Sequence, residues 1–384
     1  MRPVTIFATL FLFLVPYISS ASQVGAERYD QYLPLLTNQR VALVVNQTAQ
    51  TQDGHLLDSL LARGVNVRKV FAPEHGFRGD HDAGAKVDSS KDSKTGLPIV
   101  SLYGKNKKPT AEALEDIDII IFDIQDVGVR FYTYISTMHY VMEAAAENDK
   151  QLIVLDRPNP NIAYVDGPIL EPEFRSFVGM HPIPVLHGMT VGELAKMINA
   201  EGWLSSNKAL ALSVIPVADY SAAVRYDLPI KPSPNLPNAQ AIALYPSLCF
   251  FEATPVSVGR GTTMPFQMFG HDKVKLGKFS FTPRPILGAA SNPKLNGKVA
   301  YGMNLTEVET QGLDLTWFIN AYHAFDSKDE TFFTHAKFMD KLAGTDKLRL
   351  AIESGQSLVE IKKSWQADLA KFERRRQPYL LYAR

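Results

Sequence analysis

Residues 117–155 read IDIIIFDIQDVGVRFYTYISTMHYVMEAAAENDKQLIVL, and their pattern decides the fold. Ile117 to Phe122 is apolar almost throughout and too short for an ordinary helix, so it reads as a strand buried on both faces. Tyr132 to Asn148 is long, rich in Ala, Met and Glu, and helical in spacing. Gln151-Leu152-Ile153-Val154-Leu155 is a second short apolar run. Strand, helix and strand in that order form the unit from which parallel sheets are built.

The same rhythm extends outward. Val41 to Val45, Val65 to Phe71 and Pro98 to Leu102 are further short runs, and Leu212 to Val217 follows on the far side. His55 to Arg63 is helical and ends at Gly64. Thr190 to Ala200 is helical too, with Thr190 and Glu193 spaced as a capping box. The fold class is therefore α/β: a Rossmann-like, doubly wound, mostly parallel sheet covered on both faces. The proline-rich PIKPSPNLP (Pro229 to Pro237) marks a joint. It divides the chain into a catalytic domain at 22–235 and a smaller α+β domain at 236–384, with helices over Leu315 to Phe325 and from Phe338 to Phe372.

The chain has 384 residues, with Lys+Arg and Asp+Glu both at 40. A neutral balance lacks the basic footprint of nucleic-acid binding or of an electrostatic membrane surface. Arg2, the apolar stretch from Val4 to Ile18 and the small residues Ser19-Ser20-Ala21-Ser22 have the order of a secretory signal. The expectation is a leader at 1–21 cut near Ala21, a periplasmic or secreted product, and no membrane attachment afterwards. The single cysteine, Cys249, lies in an apolar run and reads as a buried structural residue.

In open parallel sheets, ligands bind beyond the carboxyl ends of the strands. Asn46 follows the first run and Ala72-Pro73-Glu74-His75-Gly76-Phe77-Arg78 the second. Tyr103 follows the third; Asp123, Gln125, Asp126 and Arg130 follow the fourth; Asp156, Arg157 and Asn159 follow the fifth. Each has a bland reading as a cap or turn, but five in register point to a cleft. No Gly-rich phosphate fingerprint, P-loop or G-x-S-x-G occurs, so side chains must build the site and no cofactor is expected. Glu74, His75, Asp80, His81 and Asp82 lack the spacing of a zinc motif and read as loop charge, so no metal is expected either.

Glu74 is the sharpest candidate. A carboxyl at the mouth of a sheet can be partly desolvated, which suits a general acid, although an ion pair with Arg78 or Arg130 is the plainer alternative. Asp123, Gln125 and Asp126 could bind hydroxyls, assist a water or cap a helix. Arg130, Arg157 and Arg260 each offer a planar fork to a carboxylate.

At these residues the chain resembles a known family. APEHGFRG (Ala72 to Gly79), FDIQDVGVRFYTY (Phe122 to Tyr134) and LDRPNP (Leu155 to Pro160) are similar to motifs of the NamZ family. So are PSPNLP (Pro232 to Pro237), VSVGRGTT (Val256 to Thr263), KLAGT (Lys341 to Thr345) and YLLY (Tyr379 to Tyr382). The resemblance covers nearly all of the chain after the leader. It implies an exo-β-N-acetylmuramidase releasing N-acetylmuramic acid from the non-reducing ends of peptidoglycan fragments, with Glu74 catalytic. It also implies a second carboxyl, with Glu252 in FFEAT the candidate from the other domain; Glu252, Asp123 or Asp126 could activate water or stabilise the oxocarbenium-like charge, or the substrate's own acetamido group could attack. Muramic acid-terminated saccharides would then meet Asn46, His75, Arg78, Tyr103, Gln125, Asp126, Tyr132 and Asn159. Arg130, Arg157 or Arg260 would bind the lactyl carboxylate. The rival expectations are another exported hexosaminidase, a metal-dependent amidase, or a non-catalytic periplasmic sugar-binding protein.

Overall fold

A computed structural model describes residues 22–74, 76–77, 90–104 and 106–384. The leader read at 1–21 lies outside these residues, as do His75, Arg78 and the Asp80-His81-Asp82 run. The strands are β1 (Val41–Val45), β2 (Gln50–Thr51), β3 (Gly54–His55), β4 (Val67–Ala72), β5 (Ser90–Lys91), β6 (Pro98–Ser101), β7 (Ile119–Asp123), β8 (Gln151–Leu155), β9 (Leu212–Ile215), β10 (Met268–His271), β11 (Phe279–Phe281) and β12 (Ala300–Asn304). The helices are α1 (Tyr29–Tyr32), α2 (Leu56–Ala62), α3 (Ala111–Leu114), α4 (Tyr134–Glu147), α5 (Val191–Ala200), α6 (Ala239–Leu248), α7 (Thr316–Asp326), α8 (Ala336–Ala343), α9 (Lys347–Glu353), α10 (Leu358–Ser364) and α11 (Gln366–Arg376).

Seven strands form one sheet in the order β5-β6-β4-β1-β7-β8-β9. All neighbours pair in parallel except β5, which pairs antiparallel with β6 at the edge. Counted along the chain, the six parallel strands stand 3-2-1-4-5-6, the Rossmann order. The order reverses between β1 and β7, where Val45 stands beside Asp123. β1 and β7 are buried at every position, as their unbroken apolar sequences require.

Successive side chains of these strands enter opposite layers. Val41, Leu43, Val45, Ile119 and Ile121 pack with Leu56, Leu57 and Leu60 of α2 and with Tyr32 and Leu36 of the N-terminal segment. Ala42, Val44, Ile120 and Phe122 pack toward α4 and α5. That second layer runs on without a break into the aromatic core of the C-terminal half, where Phe250, Phe251, Phe318, Phe325 and Phe332 meet edge to face or tilted. The C-terminal half carries a small antiparallel sheet, β10-β12-β11, and α7 to α11. The chain then returns to the sheet. Tyr382 and Thr190 donate to Asp156 Oδ2 at 2.5 and 2.7 Å, and Leu381 N donates to Glu193 Oε1 at 2.8 Å.

The strand pattern read from sequence matches closely, and Thr190 with Glu193 forms both bonds of the capping box. Sequence periodicity did not mark α6, which carries Pro246 inside it, or the 3₁₀ turn Cys249–Ala253 that extends it. Among the described residues, no helix is long and apolar enough to cross a membrane.

The loop that joins β7 to α4 frames the cleft, and its backbone has little freedom. Gly128 has φ +76°, the left-handed region that favours glycine. A Cβ there would stand 2.1 Å from Asn159 Oδ1. Asn159 cannot give way: its Nδ2 donates to Met189 O at 2.9 Å and its Oδ1 accepts from Asn161 N at 2.7 Å. Gly128→Ala is therefore expected to destabilise the protein by roughly 2 kcal/mol or more, seen in thermal unfolding as a fall in Tm. An unchanged Tm would show that the loop relaxes freely.

Candidate active site

Glu74 stands two residues past the end of β4, after Pro73, and is half-buried. Thr133 Oγ1 donates to Glu74 Oε2 at 2.8 Å, and the Tyr134 hydroxyl donates to the Glu74 carbonyl oxygen at 3.4 Å. Tyr103, from the loop after β6, is hydrogen-bonded to the Glu74 side chain. Burial first, and then the nearby Glu74 charge, push the Tyr103 phenol well above its usual range.

A further part of the pocket wall comes from the turn after α6. Glu252 Oε1 accepts from Arg260 Nε at 2.7 Å, with the two side chains 22% and 26% exposed. Burial pushes the Glu252 carboxyl up, but Arg260 and Lys294 together outweigh it and hold the group below its ordinary value. Lys294 Nζ is fixed by the carbonyl oxygens of Phe251, Glu252 and Thr254 at 2.9, 3.0 and 2.7 Å. The Arg260 guanidinium lies 5.0 Å over the Phe266 ring, and among the described residues its two terminal nitrogens have no hydrogen-bond partner.

Glu74, Tyr132, Thr133, Tyr134, Glu252 and Arg260 line one pocket of about 200 Å³, walled also by Ser233, Asn235, Tyr245, Phe266 and Phe338. Larger hollows of about 490 and 630 Å³ lie elsewhere, but neither is lined by Glu74 or Glu252. Cys249 also lines the pocket; burial pushes its thiol up to about 12, so it stays protonated.

Most of the remaining sequence candidates have other partners and do not line this pocket. Asp123 and Arg157 form a buried two-pronged ion pair, Nε to Oδ1 at 2.5 Å and Nη2 to Oδ2 at 2.8 Å, and Arg157 also donates to Gln50 O. Asn46 is fully buried and closes the turn after β1 by accepting from Thr48 N and Oγ1. Gln125 donates to the carbonyls of Asp126 and Pro158. Arg130 is fully buried and donates to the carbonyls of Pro168, Ile183 and Leu342 at 2.7, 2.7 and 2.9 Å. Asn159 is the brace behind Gly128, and Phe77 is buried against the His55 ring. The exception is Tyr132, which reaches the pocket with its hydroxyl donating to Pro232 O at 2.9 Å. The common cause is coverage: loops close over the carboxyl ends of β1, β7 and β8, and polar groups there must satisfy buried backbone.

Thr133, Tyr134, Ser233, Asn235, Tyr245 and Phe338 line the pocket without having been singled out from sequence. Thr133 and Tyr134 end the FDIQDVGVRFYTY motif, and Ser233 and Asn235 sit in PSPNLP, so the motifs carried a signal. Phe338 lies in no such motif. Among the described residues, no three His, Cys, Asp or Glu side chains gather as a metal-binding group.

Comparison with known proteins gives the family. A family model described as exo-beta-N-acetylmuramidase NamZ, N-terminal, matches residues 41–240, and its C-terminal counterpart matches residues 243–382. The chain belongs to the NamZ family. A relative in Bacillus subtilis (strain 168), the peptidoglycan beta-N-acetylmuramidase NamZ, is 40% identical over 375 aligned residues, covering 91% of this chain and 89% of the relative. Two solved structures of DUF1343 family proteins from Bacteroides fragilis share the fold. One is 47% identical with a TM-score of 0.87, covering 95% of this chain and 99% of its own. The other is 31% identical with a TM-score of 0.81, covering 96% and 100%.

Behind the pocket, Asp126 makes stability depend on pH. Its Oδ2 accepts from Gly128 N at 2.7 Å and lies 3.8 Å from His187 Nε2; burial keeps that imidazole neutral, pushing it down to about 3. Burial pushes the Asp126 carboxyl up to about 7. Between the ordinary carboxyl range and about 7, the folded protein holds a proton that the unfolded chain has released, so this contribution to stability is lost as pH rises through that window. Asp126→Asn is expected to lose less stability than the wild type between about pH 5 and about pH 7.5. Parallel Tm changes in the two proteins would show that Asp126 does not titrate there.

Proposed function

We propose that this chain is an exo-acting β-N-acetylmuramidase that releases N-acetylmuramic acid from the non-reducing ends of peptidoglycan fragments. The observation that carries the reading is that Glu74 and the Glu252–Arg260 couple line one small pocket. Glycoside hydrolysis commonly uses two carboxyl groups flanking the scissile bond. Glu252, held ionised by Arg260 and Lys294, suits the anionic role: it stabilises the oxocarbenium-like charge or activates the attacking group. Glu74 then protonates the leaving oxygen and, where a water attacks, later takes its proton. Asp123 is spent on Arg157 and leaves the second carboxyl role to Glu252.

Arg260 gives the pocket its preference. Its Nε orients Glu252, and its terminal nitrogens suit the lactyl carboxylate that distinguishes muramic acid from glucosamine. Tyr132, Tyr245 and Phe266 offer aromatic surface to a sugar ring. A small pocket suits a terminal residue better than the interior of a strand. In this reading the catalytic part is 22–235 and the auxiliary part 236–384, so each half supplies one carboxyl. The N-terminal leader directs the protein to the periplasm or outside the cell, where wall fragments are recycled. B. subtilis NamZ, named for action on peptidoglycan, supports the same assignment.

Purified protein is expected to release free N-acetylmuramic acid from the disaccharide in which it is β-linked to N-acetylglucosamine, with muramic acid at the non-reducing end. Glu74→Gln is expected to lower kcat by roughly 10²- to 10⁴-fold while leaving Tm nearly unchanged. A folded wild-type protein releasing no muramic acid would reject the assignment. A nearly fully active Glu74→Gln would move the proton-transfer role to another group.

A further inference from the structure

Two consecutive residues at the start of α4 hold Glu74, one by its side chain and one by its main chain. Thr133 Oγ1 reaches the carboxyl at 2.8 Å, and the Tyr134 hydroxyl reaches the carbonyl oxygen at 3.4 Å. Both are themselves well anchored. The carbonyl of Thr133 accepts from Ser136 N and Thr137 N at 3.0 Å each, so the first helical turn fixes its backbone. The buried Tyr134 ring packs edge-on against Tyr132 at 4.9 Å, and Tyr132 is pinned to Pro232. Glu74 stands beyond the end of its strand, in a turn closed by Gly76 N donating to Pro73 O at 3.0 Å. The side chain that must meet the glycosidic oxygen is thus located by the helix across from it as well as by its own strand.

We infer that Thr133 is a positioning residue of this site, whose hydroxyl sets the plane of the Glu74 carboxyl toward the pocket while Tyr134 steadies the peptide that bears it. The inference rests on the muramidase reading above. Proton transfer demands hydrogen-bond geometry between Glu74 and the leaving oxygen, and a small misplacement of a catalytic group costs rate rather than affinity. Thr133 acts through Glu74, so its loss falls on kcat. A hydroxyl on a β-branched side chain is held in few rotamers, which makes Thr a stiffer support than Ser and Val a close steric match without the donor.

The test compares Thr133→Val, Thr133→Ser and Tyr134→Phe with wild type on the muramic acid–glucosamine disaccharide. Thr133→Val is expected to lose about 10- to 100-fold in kcat, the range of one hydrogen bond to the charge that develops on Glu74 as it gives up its proton, with KM within about twofold. Thr133→Ser, which restores the donor, is expected to recover most of that loss. Tyr134→Phe, which removes the longer bond, is expected to lose less than Thr133→Val. Thr133→Val within about twofold of wild type overturns the inference, as does Thr133→Ser impaired as much as Thr133→Val, or a loss confined to KM. A wild type that cleaves nothing rejects the muramidase reading itself and the role of Thr133 with it. An active wild type with an indifferent Thr133→Val rejects the positioning role alone.

Discussion

The parallel pairing of β1 with β7 is the constraint on which the site depends. Both strands are buried at every position, so they can occupy only the middle of a sheet covered on both faces. Their register puts Val45 beside Asp123, and strand order reverses there. From that point the chain must leave the sheet, close over its own strand ends and descend into α4. The loop that does so passes through Gly128, braced by Asn159, and delivers Thr133 and Tyr134 to Glu74 beyond the neighbouring end of β4.

Carboxyl groups in and beneath the site meet different fates because their partners differ. Asp123 is neutralised by a buried Arg157, and breaking such a pair by removing one partner costs roughly 3–5 kcal/mol. Among the described residues Asp126 and Asp156 have no charged cation bonded to them, and burial raises both, to about 7 and about 6. Glu252 sits between Arg260 and Lys294, which hold it low despite burial. Glu74 is met by the hydroxyls of Thr133 and Tyr103 at the pocket edge. Of these groups, Glu74 and Glu252 face a common space.

The sheet was legible in the sequence because buried parallel strands are short apolar runs, and their spacing by helices has few alternatives. The cleft's general position was legible for the same reason. What could not be read was which polar residues face the pocket and which seal the layer beneath it. Arg130 illustrates the difficulty: a fork suited to a carboxylate is used instead to tie three backbone carbonyls, one of them on α8. Loop coverage decides that, and coverage is a tertiary property. Glu252 comes from motif resemblance, which also ties Arg260, otherwise only a fork for a carboxylate, to the site, since the turn after α6 offers no strand-end logic. Thr133 stands within a quoted motif, but nothing in the sequence separates it from an ordinary helix-start threonine; its side chain makes no cap bond and serves Glu74 instead.

The most direct measurement is a crystal structure of the Glu74→Gln protein soaked with the muramic acid–glucosamine disaccharide. The muramic acid ring should lie in the pocket, with its lactyl carboxylate hydrogen-bonded to Arg260 and the glycosidic oxygen within reach of residue 74. A disaccharide bound elsewhere, or bound there with the lactyl group turned away from Arg260, would contradict the assignment of this pocket.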